Sequence, residues 1–233
     1  MVTTTSLDRP IRTLPIATSA GPIPTSPSTG NRTISEPKRT AAFIREFLRD
    51  PLTTASLVPS SSALASAMIP SDRWSPVVVE LGPGTGSFSR ALQAQQRPPI
   101  RHLGVELNPV MSSLLAADYP NIEVITAGAA DLTEVLAQEQ LLGEVDLIVS
   151  GLPWQAFAGP GGSGLIPAIA GALRPDGVFT QFTYSWTRWT PPGRRQHRNL
   201  QAAFGQVDVR GPVWANFPPA TVYTCSEPLT DLP

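Results

Sequence analysis

Hydrophobic positions change their spacing near residue 76, and from there apolar runs alternate with amphipathic stretches. Apolar runs of five to seven residues predict strands at residues 77–81, 103–107, 122–126, 145–150 and 178–184. The stretches between and after them predict helices at residues 87–96, 109–118, 132–141, 163–173 and 193–204. Strands separated by helices of this size indicate right-handed βαβ units, and therefore a parallel sheet with helices on both faces.

The C-terminal pattern is different. Residues 206–227 contain two β-rich runs separated by the turn sequence NFPPA, which predicts an antiparallel pair at the sheet edge. The predicted fold class is α/β, a Rossmann-like sheet of parallel strands with a C-terminal antiparallel strand.

Two N-terminal segments precede this pattern. Half of residues 1–36 are Ser, Thr or Pro, so this segment is predicted to be a disordered tail. Residues 37–70 are predicted to be a helical segment, and residues 71–233 the main domain.

The first part of the 37–70 segment is amphipathic. Residues 38–50 place apolar side chains on one helical face with basic side chains around them: Phe43, Ile44, Phe47 and Leu48, flanked by Lys38, Arg39, Arg45 and Arg49. This helix either lies on an anionic membrane surface or packs on the domain core. Residues 58–69 predict a loop, a Ser N-cap and a second helix.

Composition excludes several classes of function. The 233 residues carry a net charge of −1, so no bulk attraction to nucleic acid is expected. The single cysteine, Cys225, excludes an internal disulfide and a thiolate zinc site. No apolar run reaches the about 18 residues that cross a bilayer, and no secretory signal is evident at the N-terminus. A cytoplasmic location is therefore expected.

The stretch VVVELGPGTGSF, residues 77–88, predicts a ligand site at the end of the first strand. Residue 87 is Ser where a dinucleotide motif has Gly, and the loop lacks the lysine of a phosphate-binding loop. The glycines allow a nucleoside to approach the backbone closely, and Glu106, at the end of the next strand, can accept hydrogen bonds from a ribose diol. Glu80 can face an ammonium group, directly or through water. A nucleoside with an amino-acid group and no phosphate describes S-adenosylmethionine.

Several stretches between about residues 43 and 224 resemble the class I methyltransferases. They are similar in particular to the bacterial phospholipid N-methyltransferases, which are related to the ribosomal RNA adenine dimethyltransferases. The resemblance rests on FLRDPLTTASLVPSSSALASAM, ELGPGTGSFSRAL, GVELNP, VDLIVSGLPW, LRPDGVFTQFTYS and VWANFPPATVY. It implies cofactor contacts from Ser61, Glu80, Gly82, Gly84, Gly86, Glu106, Leu107, Asn108, Ala129, Ala130, Ser150 and Gly151.

The stretch VITAGAADL departs from the pattern of that family. Gly128 stands where the family has the aspartate that binds the adenine amino group. Losing a hydrogen bond to a charged partner costs about 1.5–3 kcal/mol. The backbone N–H groups of Ala129 or Ala130 are expected to reach an adenine ring nitrogen instead.

The acceptor is expected beside SGLPW, where Ser150 replaces the Asn that holds a flat base in the RNA-modifying relatives. Leu152 and Trp154 are candidate substrate contacts, and Tyr184, which ends QFTY, is the candidate catalytic residue. The aromatic side chains Trp154, Tyr184, Trp186 and Trp189 either line a cation-binding wall or pack at strand ends. Arg194 and Arg195, with the neighbouring Arg188 and Arg198, either hold a lipid phosphate or form a solvated basic face.

Other catalytic signals are lacking in the sequence. Neither His102 nor His197 has an acid or nucleophile at a triad spacing. No metal-ligand spacing is present, and no general base is identified.

The family resemblance, together with the amphipathic 38–50 helix, implies an S-adenosylmethionine-dependent N-methyltransferase that acts on phosphatidylethanolamine-type headgroup amines. The 38–50 helix would then contact the inner membrane surface peripherally. The alternative is an enzyme of the same fold that acts on a small natural-product substrate, or one that retains the fold without methyl transfer. A nucleic-acid substrate is not expected.

Overall fold

The computed structural model describes residues 12–13, 60–154 and 164–229. Within these ranges, eight strands form one mixed sheet in the order β1-β4-β3-β2-β5-β6-β8-β7. The strands are β1 Arg12–Thr13, β2 Val77–Leu81, β3 Arg101–Glu106, β4 Glu123–Thr126, β5 Val145–Ser150, β6 Leu173–Tyr184, β7 Phe204–Val213 and β8 Ala220–Pro228. The helices of the same ranges are α1 Ser62–Met68, α2 Ser87–Gln93, α3 Pro109–Asp118, α4 Leu132–Gln138, α5 Leu165–Ala172 and α6 Pro191–Ala203.

Strands β1 to β6 pair in parallel, as the alternation of strands and helices predicts. The order reverses beside β2, because β3 follows on one side and β5 lies on the other. In an open parallel sheet, ligands bind at such a reversal, beyond the carboxyl ends of the strands. The predicted fold class is confirmed.

The C-terminal pair is also confirmed. Strand β8 is antiparallel to both β6 and β7 and lies between them, so that β7 forms the sheet edge. Because β8 runs opposite to β6, the turn after β6 and the loop before β8 lie at the same end of the strands, where the parallel strands have their carboxyl ends. Tyr184 of β6 pairs there with Ala220 of β8.

Helices bury the sheet on both faces, which accounts for the nearly continuous apolar runs of β2 and β5. On one face, Leu136 of α4, Ile169 of α5 and Leu200 of α6 pack in the same cluster as Val79 and Ile148. On the other face, side chains of α1 and α2 pack against the alternate positions of the same strands: Leu64, Met68, Phe88, Leu92, Val78 and Val149. The carboxyl ends of the strands are the place where functional groups gather.

Several element boundaries differ from the prediction, among them the starts of α6 and β6. Helix α6 begins at Pro191 rather than at residue 193, because two prolines occupy its first turn and the Thr190 side chain accepts a hydrogen bond from Gly193 N. Strand β6 begins at Leu173 rather than at residue 178, and its pairing with β5 is irregular between Val145 and Leu147.

The predicted 38–50 helix lies outside the described residues, as do residues 155–163. The predicted disordered tail, residues 1–36, lies outside them as well, except for β1, which pairs with β4 and was not predicted. Among the described helices, none is long and apolar enough to cross a membrane.

Candidate functional site

The glycine loop follows β2 and leads directly into α2. Gly82, Gly84 and Gly86 all have positive φ angles, of 64°, 54° and 76°, a region that side chains with a Cβ rarely adopt. A Cβ on Gly86 would lie 2.5 Å from Tyr119 Cε2, whereas one on Gly84 would meet nothing within 4 Å. The loop therefore packs against Tyr119 at Gly86, and the space beside Gly84 is open.

Glu106 ends β3 beside this loop and is held by backbone donors. Its Oε2 accepts a hydrogen bond from Gly84 N at 3.1 Å, and its Oε1 accepts one from Asn108 N at 2.9 Å. Burial raises the pKa of Glu106, and these backbone donors act in the opposite direction. Each carboxylate oxygen keeps acceptor capacity for a ribose hydroxyl.

Leu107 and Asn108 continue from β3 into α3. The Asn108 side chain caps α3 by accepting hydrogen bonds from Val110 N and Met111 N, at 2.9 and 3.3 Å. This cap fixes the direction of the chain after Glu106. Leu107 is largely exposed beside it, with an exposed fraction of 44%.

Glu80, the other predicted acid, lies fully buried at the end of β2. Its Oε2 accepts a hydrogen bond from Ser89 Oγ at 2.7 Å and lies 3.2 Å from His102 Nε2. The His102 Nδ1 atom in turn lies 3.0 Å from Gln93 Nε2. Since an amide nitrogen only donates, Nδ1 accepts and Nε2 carries the proton that points to Glu80. The spacing of residues in the sequence gives no sign of this contact between His102 and an acid, because the two residues lie on different strands.

The second carboxylate oxygen of Glu80, Oε1, is buried and has no hydrogen-bond partner among the described residues. A buried acceptor without a donor is costly, so it is the natural place for a donor that a ligand brings. An ammonium contact at Glu80 stays a prediction, and it would use this oxygen.

The end of β5 closes against the glycine loop. Gly151 N donates to Leu81 O at 2.9 Å, and a Cβ on Gly151 would lie 2.7 Å from Gly82 O. The Ser150 Oγ accepts hydrogen bonds from Leu152 N at 3.3 Å and from Trp154 Nε1 at 3.0 Å. Ser150 and Gly151 therefore lie beside the loop, as predicted, and Leu152 is half-buried against Gly82.

Trp154 lies in the core and not on an open wall. It is 2% exposed, and its ring packs edge-on against Phe179 at 5.6 Å. The structure favours the packing interpretation for this side chain. Its contribution to the site is the hydrogen bond that orients Ser150.

The turn after β4 holds Gly128, the position of the absent aspartate. Gly128 N donates to Asp131 Oδ2 at 3.1 Å, and a Cβ on Gly128 would lie 3.0 Å from the same oxygen. Ala129 and Ala130 begin a short 3-10 turn. A contact from the N–H group of Ala129 or Ala130 to an adenine ring nitrogen stays a prediction.

On the acceptor side, three elements meet at the carboxyl end of β6. The Ser61 N–H donates to Asn216 Oδ1 at 3.0 Å, and the Ser61 side chain caps α1 by accepting from Leu64 N at 3.1 Å. Phe182 lies between Phe88 of α2 and Tyr184, with ring centroids 6.0 and 6.3 Å apart. Tyr184 is partly buried, and this burial raises the pKa of its phenol. Apolar rings thus connect the glycine-loop helix to Tyr184.

Arg194 and Arg195 are exposed on the first turns of α6, and Arg194 Nη1 donates to Trp189 O. Trp186 and Trp189 are about two-thirds exposed, at 65% and 67%. Neither tryptophan has a ring contact with Tyr184 among those found in the described part of the chain. Cation binding by Tyr184, Trp186 and Trp189 stays a prediction.

The described residues fit S-adenosylmethionine. The open space at Gly84, the carboxylate of Glu106, the Oε1 atom of Glu80 and the 3-10 turn that begins at Ala129 lie at the carboxyl ends of neighbouring strands. They match a nucleoside with a ribose diol and a cationic amino-acid group, and they include no cluster of basic side chains for phosphates.

Comparison with known proteins supports this assignment. No model of a known protein family matches the chain. The chain is 31% identical, over 190 residues, to the ornithine lipid N-methyltransferase of Singulisphaera acidiphila, covering 78% of this chain and 93% of that protein. A tRNA (guanine-N(7)-)-methyltransferase of Streptococcus sanguinis is 30% identical over only 86 residues, which cover 34% of this chain and 38% of that one.

Solved structures with the same fold are more distant in sequence. Spermidine synthase from Thermotoga maritima has a TM-score of 0.57 at 16% identity, covering 74% of this chain and 62% of that one. Human methyltransferase-like protein 13, in complex with SAH, has a TM-score of 0.50 at 20% identity, covering 71% and 78%. The chain belongs to the class I S-adenosylmethionine-dependent methyltransferases, in the family that includes the ornithine lipid N-methyltransferase.

Proposed function

We propose that this methyltransferase transfers methyl groups to the amine of a lipid headgroup, at the membrane surface that faces the cytoplasm. The observation that carries the proposal is the 31% identity over 93% of a lipid N-methyltransferase. Similarity over nearly the whole relative includes the acceptor half of the fold, whereas the match to the tRNA methyltransferase covers 38% of that enzyme.

The chemistry of the acceptor side agrees with an amine. When bound, the cofactor supplies a methyl group on a sulfonium, and an amine nitrogen accepts it only while its lone pair is free. The rings of Phe182 and Tyr184 pack edge-on at the end of β6, and the buried ring of Phe88 packs edge-on against Phe182. Such surroundings disfavour the protonated amine and so favour its reactive form.

In this proposal, Tyr184 orients the acceptor rather than removing its proton. Burial raises the pKa of the Tyr184 phenol, so the phenolate needed for a general base is scarce near neutral pH. A neutral phenol can donate to or accept from the headgroup, and the ring face attracts a methylated ammonium. Alignment of nucleophile and methyl group is itself a large part of catalysis.

Two headgroups follow from different observations. The similar protein from Singulisphaera acidiphila is named for ornithine lipid, whereas the sequence motifs resemble enzymes of the phosphatidylethanolamine type. We propose that the acceptor is one of these primary amines, and that Arg194 and Arg195 are available to an anionic part of the lipid because both are exposed on α6.

The test is methyl transfer from labelled S-adenosylmethionine to mixed-detergent micelles that contain either lipid. Labelled lipid in the ornithine or the phosphatidylethanolamine arm supports the proposal and identifies the headgroup. Label in soluble polyamines or other small amines, with none in either lipid, would overturn it and favour the small-molecule alternative. The Glu106→Ala variant is the matched control, because it removes the ribose contact without touching the acceptor side.

A further inference from the structure

Four large aromatic side chains are exposed at the edge of the sheet that holds the cofactor site. Trp186 and Trp189 follow β6 and are 65% and 67% exposed. Trp214 and Phe217 lie between β7 and β8 and are 76% and 79% exposed. Side chains of this size are normally covered, and several together mark an interaction surface.

The two segments that carry these aromatics, residues 185–190 and 214–219, adjoin each other. Ser185 N donates to Pro219 O at 2.8 Å, and Ser185 Oγ lies 2.8 Å from Thr221 Oγ1. The pairs Tyr184–Ala220 and Val213–Ala220 place the ends of β6 and β7 on either side of the start of β8. The four aromatics therefore belong to one surface, here called the aromatic rim.

Buried polar contacts fix both segments of the aromatic rim. Its four aromatic side chains are therefore exposed on an ordered surface. Asn216 is 5% exposed; its Oδ1 accepts from Ser61 N at 3.0 Å and its Nδ2 donates to Pro218 O at 2.8 Å. In the other segment, Thr187 is 3% exposed and its Oγ1 donates to Tyr184 O at 2.6 Å. Each segment turns polar side chains inward and aromatic side chains outward.

Positive charge is concentrated around the aromatic rim. Residues 184–220, from the end of β6 to the start of β8, contain five arginines and one acid, Asp208, a net charge of +4, whereas the whole chain carries −1 and the remainder therefore −5. None of the five has an ion pair with another described residue: Arg188, Arg194, Arg195, Arg198 and Arg210. The Arg188 guanidinium lies 4.6 Å from the Trp189 ring centroid, and Arg194 bonds the Trp189 carbonyl.

We propose that the aromatic rim is a membrane-docking surface that inserts its tryptophans and Phe217 into the interfacial layer of an anionic bilayer. Tryptophan is enriched at this depth because its ring is apolar and its N–H finds polar partners. Arginines beside it gain from the negative surface potential of anionic lipids. This inference goes beyond the proposed function, because it names the surface and the orientation: the cofactor edge of the sheet faces the bilayer.

The test is co-sedimentation of the full chain, without cofactor, with vesicles of phosphatidylglycerol and phosphatidylcholine. We expect the Trp214→Ser/Phe217→Ser double variant to bind at least about tenfold more weakly, a change of 1.4 kcal/mol. The matched control is Ile100→Ser, because Ile100 is 78% exposed but lies before β3, at the opposite edge of the sheet. Circular dichroism establishes that all variants are folded.

Brominated phosphatidylcholine added to the vesicles is expected to quench the tryptophan fluorescence of the wild-type chain, and to do so less in Trp214→Ser/Phe217→Ser. Equal binding by this double variant and the wild type would overturn the inference, as would a failure of the wild type to bind. If RNA displaced the vesicles from the wild-type chain, and if the double variant bound that RNA more weakly, the aromatic rim would be a nucleic-acid surface and the inference would be overturned. Methyl transfer to lipid in detergent micelles separates the two proposals: turnover without vesicle binding refutes only docking, and docking without turnover refutes only the proposed function.

Discussion

Gly151 and Gly82 are in such close contact that a Cβ on Gly151 would lie 2.7 Å from the Gly82 carbonyl oxygen. This contact joins the end of β5 to the glycine loop, the predicted cofactor site. Backbone lies on both sides of the contact, so no flexible side chain can yield. The end of β5 and the glycine loop can therefore approach each other this closely only because residue 151 has no side chain.

A Gly151→Ala substitution is therefore expected to displace the glycine loop. Overpacking of this kind costs about 1–3 kcal/mol, so the melting temperature should fall and S-adenosylhomocysteine should bind at least about tenfold more weakly. The control is Gly171→Ala, since Gly171 lies exposed in α5 and a Cβ there meets nothing within 4 Å. Calorimetric affinities for Gly151→Ala that match those of the wild type would contradict the prediction.

Glu106 is expected to make cofactor binding depend on pH. Burial raises the pKa of this carboxyl above its ordinary value, so the folded chain keeps the proton at pH values where the unfolded chain has lost it. The contribution of Glu106 to stability therefore falls as the pH rises from about 4.3, the unfolded pKa, through the raised folded pKa. Ribose hydroxyls donate to the ionised form, so affinity for S-adenosylhomocysteine should rise with pH over the same window.

Calorimetric titration at several pH values checks this prediction. Glu106→Gln, which cannot ionise and keeps the shape of the side chain, should bind more weakly and lose the pH dependence. A wild-type affinity that stays constant or falls as the pH rises through this window would exclude Glu106 as the group that receives the ribose.

The sequence predicts the β2–α2 and β3–α3 portions of the site well because their determinants are local. The glycines of the loop and an acid at a strand end can each be recognised within a stretch of ten residues. Asn108 stands directly before Pro109 at the start of α3. The Glu80–His102 pair was missed because it depends on register between strands. In the parallel pairing, Glu80 lies opposite Gly104, which places His102 two residues along on the same face.

Trp154 and the aromatic rim show a second limit of sequence reasoning. Trp154, Trp186 and Trp189 are alike in the sequence, each near a strand end, yet the first is buried and the other two are exposed. The difference arises because Trp154 turns back to Ser150 and Phe179, which belong to two different strands. Tertiary contacts of this kind are not encoded in hydrophobic spacing.

The buried contact between Glu80 and His102 predicts strong coupling between these side chains. His102→Leu removes a donor from a fully buried carboxylate, and stranding a buried polar group costs about 1–3 kcal/mol. The double variant Glu80→Leu/His102→Leu removes both partners and should be less destabilised than the sum of the two single variants. Urea unfolding of the four proteins completes the cycle, and additive changes in the free energy of unfolding would show that the 3.2 Å contact contributes nothing.

Tyr184 tests whether the acceptor side acts through an aromatic ring or through an ionised phenol. Because burial raises the pKa of Tyr184, the phenol should stay neutral below about pH 10. Tyr184→Phe keeps the ring and its contact with Phe182, so kcat/KM for lipid acceptor in detergent micelles should stay within about threefold of the wild type. Tyr184→Leu loses the ring face that attracts an ammonium and should lower kcat/KM by at least about tenfold. Ala should be avoided here, because the cavity beside Phe182 would add a folding defect. If Tyr184→Phe were as inactive as Tyr184→Leu, the hydroxyl would be the essential group, and an alkaline limb in the wild-type rate that vanishes in Tyr184→Phe would assign it to proton transfer.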